Sequence, residues 1–273
     1  MFENLTTRPD PLVYFIAVFP VSLLAVGGGF LFASRSRRMQ HDRAGWAFGL
    51  GQAAIFALIA LILGFSFSFA AGRYEARRGL VVTEADAIRT TFLRAAFLPG
   101  AQSVPFRRAL VEYTRARLES YYEVGDPKAE RVALDKGKSL QGELWTLATN
   151  AVLRDSRSPL FADLTRSVVE TINASEDQTA AFNNHVPRPI IYIIILCTLV
   201  GAFLFGLTFG YAKEPHALLA AIFCLLFAGT VFTIIDLDHP QGGFIAVDVA
   251  PLHSLLEDMT TAPATNLIRS QVR

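Results

Sequence analysis

Residues 57–78 read ALIALILGFSFSFAAGRYEARR, an apolar run that ends at a cluster of charges beginning with Arg73. The run is the second half of a stretch from Ala44 to Gly72 that contains no Asp, Glu, Lys or Arg. A helix needs about 20 apolar residues to cross about 30 Å of hydrocarbon, where every backbone polar group must be paired within the helix. The stretch therefore predicts a transmembrane helix.

Three other stretches are similarly apolar and free of charged residues: Pro11 to Ser34, Pro189 to Ala212 and Pro215 to Ile235. Apolar residues make up 52% of the chain and the mean hydropathy is +0.37, which is too high for an ordinary soluble domain. We therefore expect an all-α integral membrane protein with four transmembrane helices, two on each side of a long polar segment.

The polar segment from Arg73 to Arg188 shows helical periodicity and no strand-like alternation. Its apolar residues recur on three stripes, Phe106-Leu110-Tyr113, Leu140-Leu144-Leu147-Ala151 and Phe161-Leu164-Val168-Ile172. Turn signals separate the stripes at Pro99-Gly100, Gly125-Asp126-Pro127 and Ser158-Pro159. The pattern predicts a helical water-exposed domain of about four helices inserted between transmembrane helices 2 and 3. Its first helix should continue the second span, because only Gly79 weakens the helix there.

The chain is thus predicted to have four segments: residues 1–72 with transmembrane helices 1 and 2, 73–188 with the helical domain, 189–235 with transmembrane helices 3 and 4, and 236–273 as a water-exposed C-terminal segment. Four spans place both termini and the helical domain on one side of the membrane. The loop between the first two spans carries Arg35, Arg37, Arg38 and Arg43, and the positive-inside rule favours the cytoplasm for it. The helical domain also begins with basic residues, so charge leaves the orientation open.

Composition and motifs argue against several classes of function. A net charge of +1, with 25 basic and 24 acidic residues, does not indicate a nucleic-acid-binding protein. Cys197 and Cys224 lie within predicted spans and support neither a disulfide framework nor a zinc site. The sequence has no nucleophile elbow, phosphate loop, dinucleotide fingerprint or His-Glu-x-x-His pair, and Glu84 and Asp86 point to different helix faces. We expect neither an enzyme nor a bound cofactor.

The second span carries two neighbouring stripes at four-residue spacing. The first stripe is formed by Ala57, Leu61, Phe65 and Phe69, and the second is a series of small residues, Ala60, Gly64, Ser68 and Gly72. Small residues at this spacing let another helix approach closely. The third span repeats the series at Ala202, Gly206 and Gly210. We interpret both small-residue series as helix-packing faces.

The stripe through Leu61 and Phe65 allows two interpretations. Such a stripe in a membrane helix usually faces lipid or neighbouring helices. If several copies of the helix surrounded an axis, however, stacked apolar rings would form a constriction that gates ions by dewetting. The positive edge of a Phe ring would then tolerate an anion better than a cation. Periodicity alone favours the first interpretation.

The run LGFSFSFAAGRYEARR at residues 63–78 resembles the neck helix of the bestrophins. Gly64-Phe65 matches the Gly-Phe of that family and Arg73-Tyr74 its Arg-Trp, and Ala57, Leu61 and Phe65 fall at its neck positions. The sequence departs from bestrophins at Glu75, where a second Trp is absent, and at Ala57, which is smaller than the usual neck residue. It also lacks the long acidic cluster that follows the fourth span in animal bestrophins.

Most of the chain is similar to the bestrophin-like family of uncharacterised bacterial membrane proteins. The similarity extends from GFSFSFAAGRYEARRGLVVTEADAIRTTFLRA to DLDHPQGGF after the fourth span, with the same order of two spans, a helical domain and two spans. It implies a pentameric channel in the bacterial inner membrane that passes small anions, with Ala57, Leu61, Phe65 and Ser68 along the pore. It also implies that the large domain and both termini are cytoplasmic. The implied partners are the lipid bilayer, other copies of the chain and small inorganic ions.

Two alternatives stay open. The protein could be a non-conducting membrane-anchored scaffold or sensor whose helical domain binds another protein; a ring-forming oligomer would favour the channel. Asp236, Asp238 and His239 could supply ligands to a cation, but an EF-hand-like ligand spacing is missing. We therefore prefer to interpret that segment as the solvated end of a membrane helix and predict no metal site.

Overall fold

The computed structural model describes residues 11–35, 42–122, 127–154, 157–212, 216–238 and 243–261. These residues contain eight α-helices and no strand, which confirms the predicted all-α class. The helices are α1 (Pro11–Arg35), α2 (Asp42–Ala95), α3 (Gly100–Tyr122), α4 (Pro127–Arg154), α5 (Pro159–Asn183), α6 (Arg188–Ala212), α7 (Ala217–Asp238) and α8 (Ala250–Thr261).

Four of these helices are long and apolar enough to cross a membrane: α1, the apolar part of α2, α6 and α7. The four predicted spans are therefore confirmed. Helix α2 is continuous over 54 residues and passes through Gly72 and Gly79 without a break, as the sequence predicts. Two of the three turn signals also mark helix starts, at Gly100 and at Pro159. The third falls partly outside the described residues.

The first compact unit, the membrane unit, comprises residues 1–74 and 185–246. Helix α1 packs against α6 and α7 in this unit. Its backbone approaches α6 closely, because a side-chain carbon on Gly29 would meet the backbone nitrogen of Leu207 at 3.0 Å. A second cluster of buried apolar residues joins α2 to α6 and α7 through Ile59, Ile194 and Val231.

The second compact unit, the helical unit, comprises residues 75–184 and 247–273. Helix α4 packs against α3 and α5, and α8 packs against α3. The stripes predicted from the sequence supply its core, since Leu110, Leu144 and Leu164 are almost fully buried. The C-terminal helix α8 belongs to the same unit and buries Leu252 and Leu255 completely.

Candidate functional site

One face of α2 within the membrane is used by the protomer itself. Ile59, Leu63, Ser66 and Ala70 recur at three- and four-residue intervals, and all four are buried. Gln52 adds a polar contact on the same side, because its Nε2 donates to the Leu204 carbonyl at 2.9 Å and to Thr208 Oγ1 at 2.7 Å. This face of α2 is therefore packed against helices of its own chain.

The opposite face of α2 is uncovered in the protomer. Phe65 is 60% exposed and Leu61 is 55% exposed, and Ala57 and Ser68 are also exposed. With 3.6 residues per helical turn, these four positions form one narrow stripe opposite the buried face. The structure thus brings the four predicted pore residues together on an exposed surface of the protomer.

The stripe changes in chemistry along its length. Ala57, Leu61 and Phe65 present only apolar atoms over two turns, and Ser68 then adds a hydroxyl one turn further along. No charged side chain occurs on α2 between Phe48 and Gly72. An apolar surface of this kind, repeated around an axis, opposes wetting without binding an ion tightly.

The two small-residue series have different surroundings. A side-chain carbon on Gly210 would lie 2.6 Å from Ala33 Cβ, and one on Gly206 would clash with the backbone of Val26. Ala202 is also buried, so the series on α6 packs against α1. A side-chain carbon on Gly64 or Gly72 of α2, by contrast, would meet no atom within 4 Å apart from the nearby backbone of its own helix. Ala60 is exposed as well.

Asp238, at the end of α7, contacts α2 at the point where the apolar part of α2 ends. Asp238 is 3% exposed, and its Oδ2 accepts the Val186 backbone N–H at 2.9 Å. The Arg73 guanidinium of α2 lies 3.9 Å from Asp238 Oδ1, and His185 Nδ1 lies 3.6 Å from Asp238 Oδ2. Asp238 therefore connects α7, the start of α6 and the end of the second span.

Asp236 binds the chain that follows α7. Its two carboxylate oxygens accept the backbone N–H groups of Phe244 at 2.8 Å and Ile245 at 2.9 Å. Gly243 is needed for this approach, because a side-chain carbon there would lie 2.9 Å from Asp236 Cγ. The turn thus packs directly on a fully buried carboxylate.

These contacts concern both interpretations of this segment, a cation site and the solvated end of a membrane helix. The carboxylate oxygens of Asp236 and Asp238 accept backbone N–H groups and thereby hold the chain around the end of α7. Among the residues that the structure describes, no group of three or more His, Cys, Asp or Glu could hold a metal ion; His239 lies outside them. The segment does end a membrane helix, but the expectation of a solvated segment is wrong for these two residues, which are buried.

The helical unit contains a buried ion pair. Glu84 of α2 is fully buried, and its Oε1 accepts Arg117 Nε at 2.5 Å and its Oε2 accepts Arg117 Nη2 at 3.2 Å. Gln178 of α5 also accepts from Arg117. Burial lowers the pKa of Arg117, but the adjacent Glu84 carboxylate outweighs it and raises the pKa overall. The pair therefore links α2, α3 and α5 through charge-assisted hydrogen bonds.

Two tyrosines, Tyr113 and Tyr121, lie close enough to this ion pair for its charges to affect their pKa. Burial, and secondarily the Glu84 carboxylate, raise the pKa of Tyr113 to about 12. The same two causes raise the pKa of Tyr121. The Tyr113 hydroxyl accepts Gln141 Nε2 at 3.3 Å, so α4 joins the same polar network. Both phenols stay neutral in the folded protein over the physiological pH range.

The sequence pattern draws attention to Asp236 and Asp238 but does not predict their contacts with the backbone. It places Glu84 and Asp86 on different helix faces and does not indicate Arg117, which lies 33 residues away, as the partner of Glu84. A single acid within an amphipathic helical segment gives no partner from spacing. One usable signal was the position of Glu84 between the apolar residues Val81 and Ile88, which are both fully buried.

Comparisons with known proteins agree with this architecture. The sequence profile of the Bestrophin-like domain matches residues 22–252. Two solved structures of variants of a bacterial bestrophin homologue from Klebsiella pneumoniae each superpose with a TM-score of 0.63 at 15% sequence identity. The first match covers 90% of this chain and 97% of the homologue. The second covers 93% of this chain and 98% of the homologue. Another structure of the Klebsiella pneumoniae homologue has a TM-score of 0.58 at 16% identity and covers 94% of this chain and 97% of its own. No curated protein matches the chain.

Proposed function

Because the chain belongs to the bestrophin-like family, we propose that it is a homo-oligomeric channel, a pentamer, that passes small anions across the bacterial inner membrane along a path lined by α2. The observation that carries this proposal is the uncovered stripe of Ala57, Leu61, Phe65 and Ser68. It lies opposite the face that α2 uses within the protomer. A helix oriented in this way can face an axis while it stays anchored in its own subunit.

Leu61 and Phe65 form the constriction in this proposal. Copies of the two side chains around an axis make successive apolar rings, which a column of water enters only at a free-energy cost. The ring edge of Phe carries partial positive charge and faces a passing anion more favourably than a cation. Ala57 gives a wider third ring, and the Ser68 hydroxyl donates a hydrogen bond to an ion that leaves the neck.

Neighbouring subunits meet along the small-residue series in the same proposal. Ala60 and Gly64 lie on the flank of the pore stripe, and a side-chain carbon on Gly64 would meet open space in the single chain. A helix from a second copy could approach the α2 backbone there at close range. One helix then serves both pore and interface, on adjacent faces.

We place the helical unit and both termini in the cytoplasm. This orientation follows the family resemblance rather than the basic loop after α1. Reporter fusions after Arg78 and after Arg273 should both report the cytoplasmic side. A periplasmic signal from both would reverse the orientation, and disagreement between them would remove one of the four spans.

Ion flux through purified protein in liposomes tests the channel. Phe65→Ala should raise chloride flux above that of the unchanged protein, because removal of one apolar ring lowers the barrier to wetting. Phe32→Ala is a matched control, since Phe32 of α1 is 62% exposed and Phe65 is 60% exposed. The control should leave the flux unchanged.

A non-conducting scaffold or sensor predicts another result. Both variants would then behave alike, with a packing defect and no new conductance. Flux no greater than that of protein-free liposomes for Phe65→Ala, Phe32→Ala and the unchanged protein, all assembled and folded, would therefore contradict the channel and favour the scaffold. Equal flux above that level would contradict the assignment of Phe65 to the constriction.

A further inference from the structure

A cleft of about 220 Å³ opens on the helical unit between α2, α3 and α8. Its walls combine apolar side chains with two arginines: Phe92, Val104, Arg107, Arg108, Val111 and Met259. Drug-sized ligands occupy pockets of roughly 300–1,000 Å³. This cleft is smaller, so it suits a charged group that carries only a few carbon atoms.

The charge at the cleft is positive. Arg107 and Arg108 line it, and no carboxylate does. Asp258, which precedes the lining residue Met259, is paired with Arg89 of α2 at 4.0 Å. The nearest acid on α3, Glu112, is bound by Arg115 at 2.7 Å. The two lining guanidinium groups are therefore not neutralised by these neighbouring carboxylates.

Arg107 is oriented but incompletely satisfied. Its guanidinium carbon lies 4.2 Å above the centre of the Phe92 ring, a stacking that fixes the plane of the group. Its Nε is buried and has no hydrogen-bond partner among the described residues. A buried donor without an acceptor is costly, and an anionic oxygen in the cleft would remove that cost.

We propose that this cleft is a binding site for a small amphiphilic anion, a carboxylate or phosphate monoester that carries a short apolar group. Arg107 and Arg108 would bind the anionic oxygens, with the geometry that makes guanidinium groups selective for carboxylate and phosphate. The apolar group would lie against Val104, Val111 and Met259. The site belongs to the helical unit and does not depend on the proposed channel.

Butyl phosphate tests the proposal, with inorganic phosphate and butanol as probes that each lack one half of the ligand. Thermal unfolding of the full-length protein in nanodiscs of zwitterionic lipid gives the readout. Butyl phosphate should raise the melting temperature saturably, because it binds only the folded state. The other two probes should have little effect at the same concentration. Equal shifts from butyl phosphate and inorganic phosphate would overturn the amphiphilic site.

Substitutions locate the site. Arg108→Gln and Arg107→Gln should each weaken butyl phosphate binding about tenfold, because each removes a charge-assisted hydrogen bond. Arg108 is exposed, so its variant tests the site even if Arg107→Gln fails to fold. Arg131→Gln on α4 is the control, since Arg131 is exposed and does not line the cleft. No saturable shift, or an equal loss in the control, would overturn the proposal.

Lipid composition separates two sources of the same chemistry. A soluble anion should bind equally well in nanodiscs of zwitterionic and of anionic lipid. If anionic lipid abolishes the butyl phosphate response in the unchanged protein, and Arg108→Gln also loses a stabilisation by anionic lipid, the ligand is a lipid headgroup. Either result supports the site and identifies its source.

Discussion

The small-residue series of α6 and of α2 have the same four-residue spacing, but their glycines have opposite surroundings. Gly206 and Gly210 of α6 lie against the backbone of α1, so closely that any side chain would clash. A side-chain carbon on Gly64 or Gly72 of α2 would meet no atom within 4 Å apart from the nearby backbone of its own helix. One small-residue face is completed inside the chain, and the other is left open on the helix that carries the predicted pore residues.

A small-residue series therefore allows another helix to approach closely but does not determine which helix it is. In α6 the partner is the preceding helix α1 of the same chain, whose own Gly29 faces α6 in return. In α2 no helix of the protomer takes that role in the described residues. A second copy of the chain is the partner that our proposal supplies.

The largest effect that separates the two faces is expected at Gly206. Gly206→Leu should unfold the membrane unit, because the new side chain meets the backbone of Val26, which cannot rotate away. We expect a loss of at least about 3 kcal/mol, seen as a collapse of the monodisperse peak in detergent. Gly28→Leu is the control, since Gly28 of α1 has open space around it. A well-folded Gly206→Leu variant would show that the α1–α6 contact is not closely packed.

A smaller and different effect is expected at Gly64. Gly64→Leu should leave protomer stability within about 1 kcal/mol, because open space surrounds this glycine and Leu favours a helix. It should nevertheless weaken assembly, which native mass spectrometry detects as a shift from oligomer to monomer. If the oligomer forms as in the unchanged protein, the open face of α2 contacts lipid and is not an interface between subunits.

A third effect concerns the pH dependence of stability and distinguishes the helical unit from the glycine contacts. The folded state holds Tyr113 neutral and raises its pKa from 10.0 to about 12. The contribution of Tyr113 to stability should therefore be constant below about pH 9 and fall between about pH 10 and 12, by at most about 2.7 kcal/mol. As the pH rises, the unfolded chain loses the Tyr113 proton before the folded protein does, so the free energy of unfolding decreases.

Chemical unfolding at pH 9 and pH 11.5 checks this prediction. Tyr113→Phe should reduce the alkaline loss of stability but not abolish it, because burial also raises the pKa of Tyr121. The contact between Gly206 and Val26 contains no titratable group and should contribute nothing to the slope. An identical slope in the variant and the unchanged protein would remove Tyr113 from the explanation.

Much of this architecture could be predicted from residue patterns. Charge-free runs identify the four spans, and the lack of a helix breaker near Gly79 predicts the long continuous α2. Period and spacing also place Leu61 and Phe65 on one stripe. These features are local, because each depends on residues within a few helical turns of one another.

Features that depend on distant pairing could not be predicted. Glu84 meets Arg117 across 33 residues of chain, and Asp238 meets the backbone of Val186 across 52 residues. Spacing also does not tell whether Gly206 or Gly64 finds a partner within the protomer. Side chains and backbones brought together by tertiary packing decide each of these contacts.

Cysteine cross-linking at Phe65 tests whether the exposed stripe of Ala57, Leu61, Phe65 and Ser68 faces other copies of the chain around an axis. In a background with Cys197 and Cys224 replaced by alanine, Phe65→Cys should form cross-linked dimers in membranes on mild oxidation or with a short bifunctional thiol reagent, because one cysteine per chain can join only two chains. Phe32→Cys, equally exposed on α1, should stay monomeric. If folded Phe65→Cys cross-links no better than Phe32→Cys, α2 does not line a shared axis and the proposed pore is wrong.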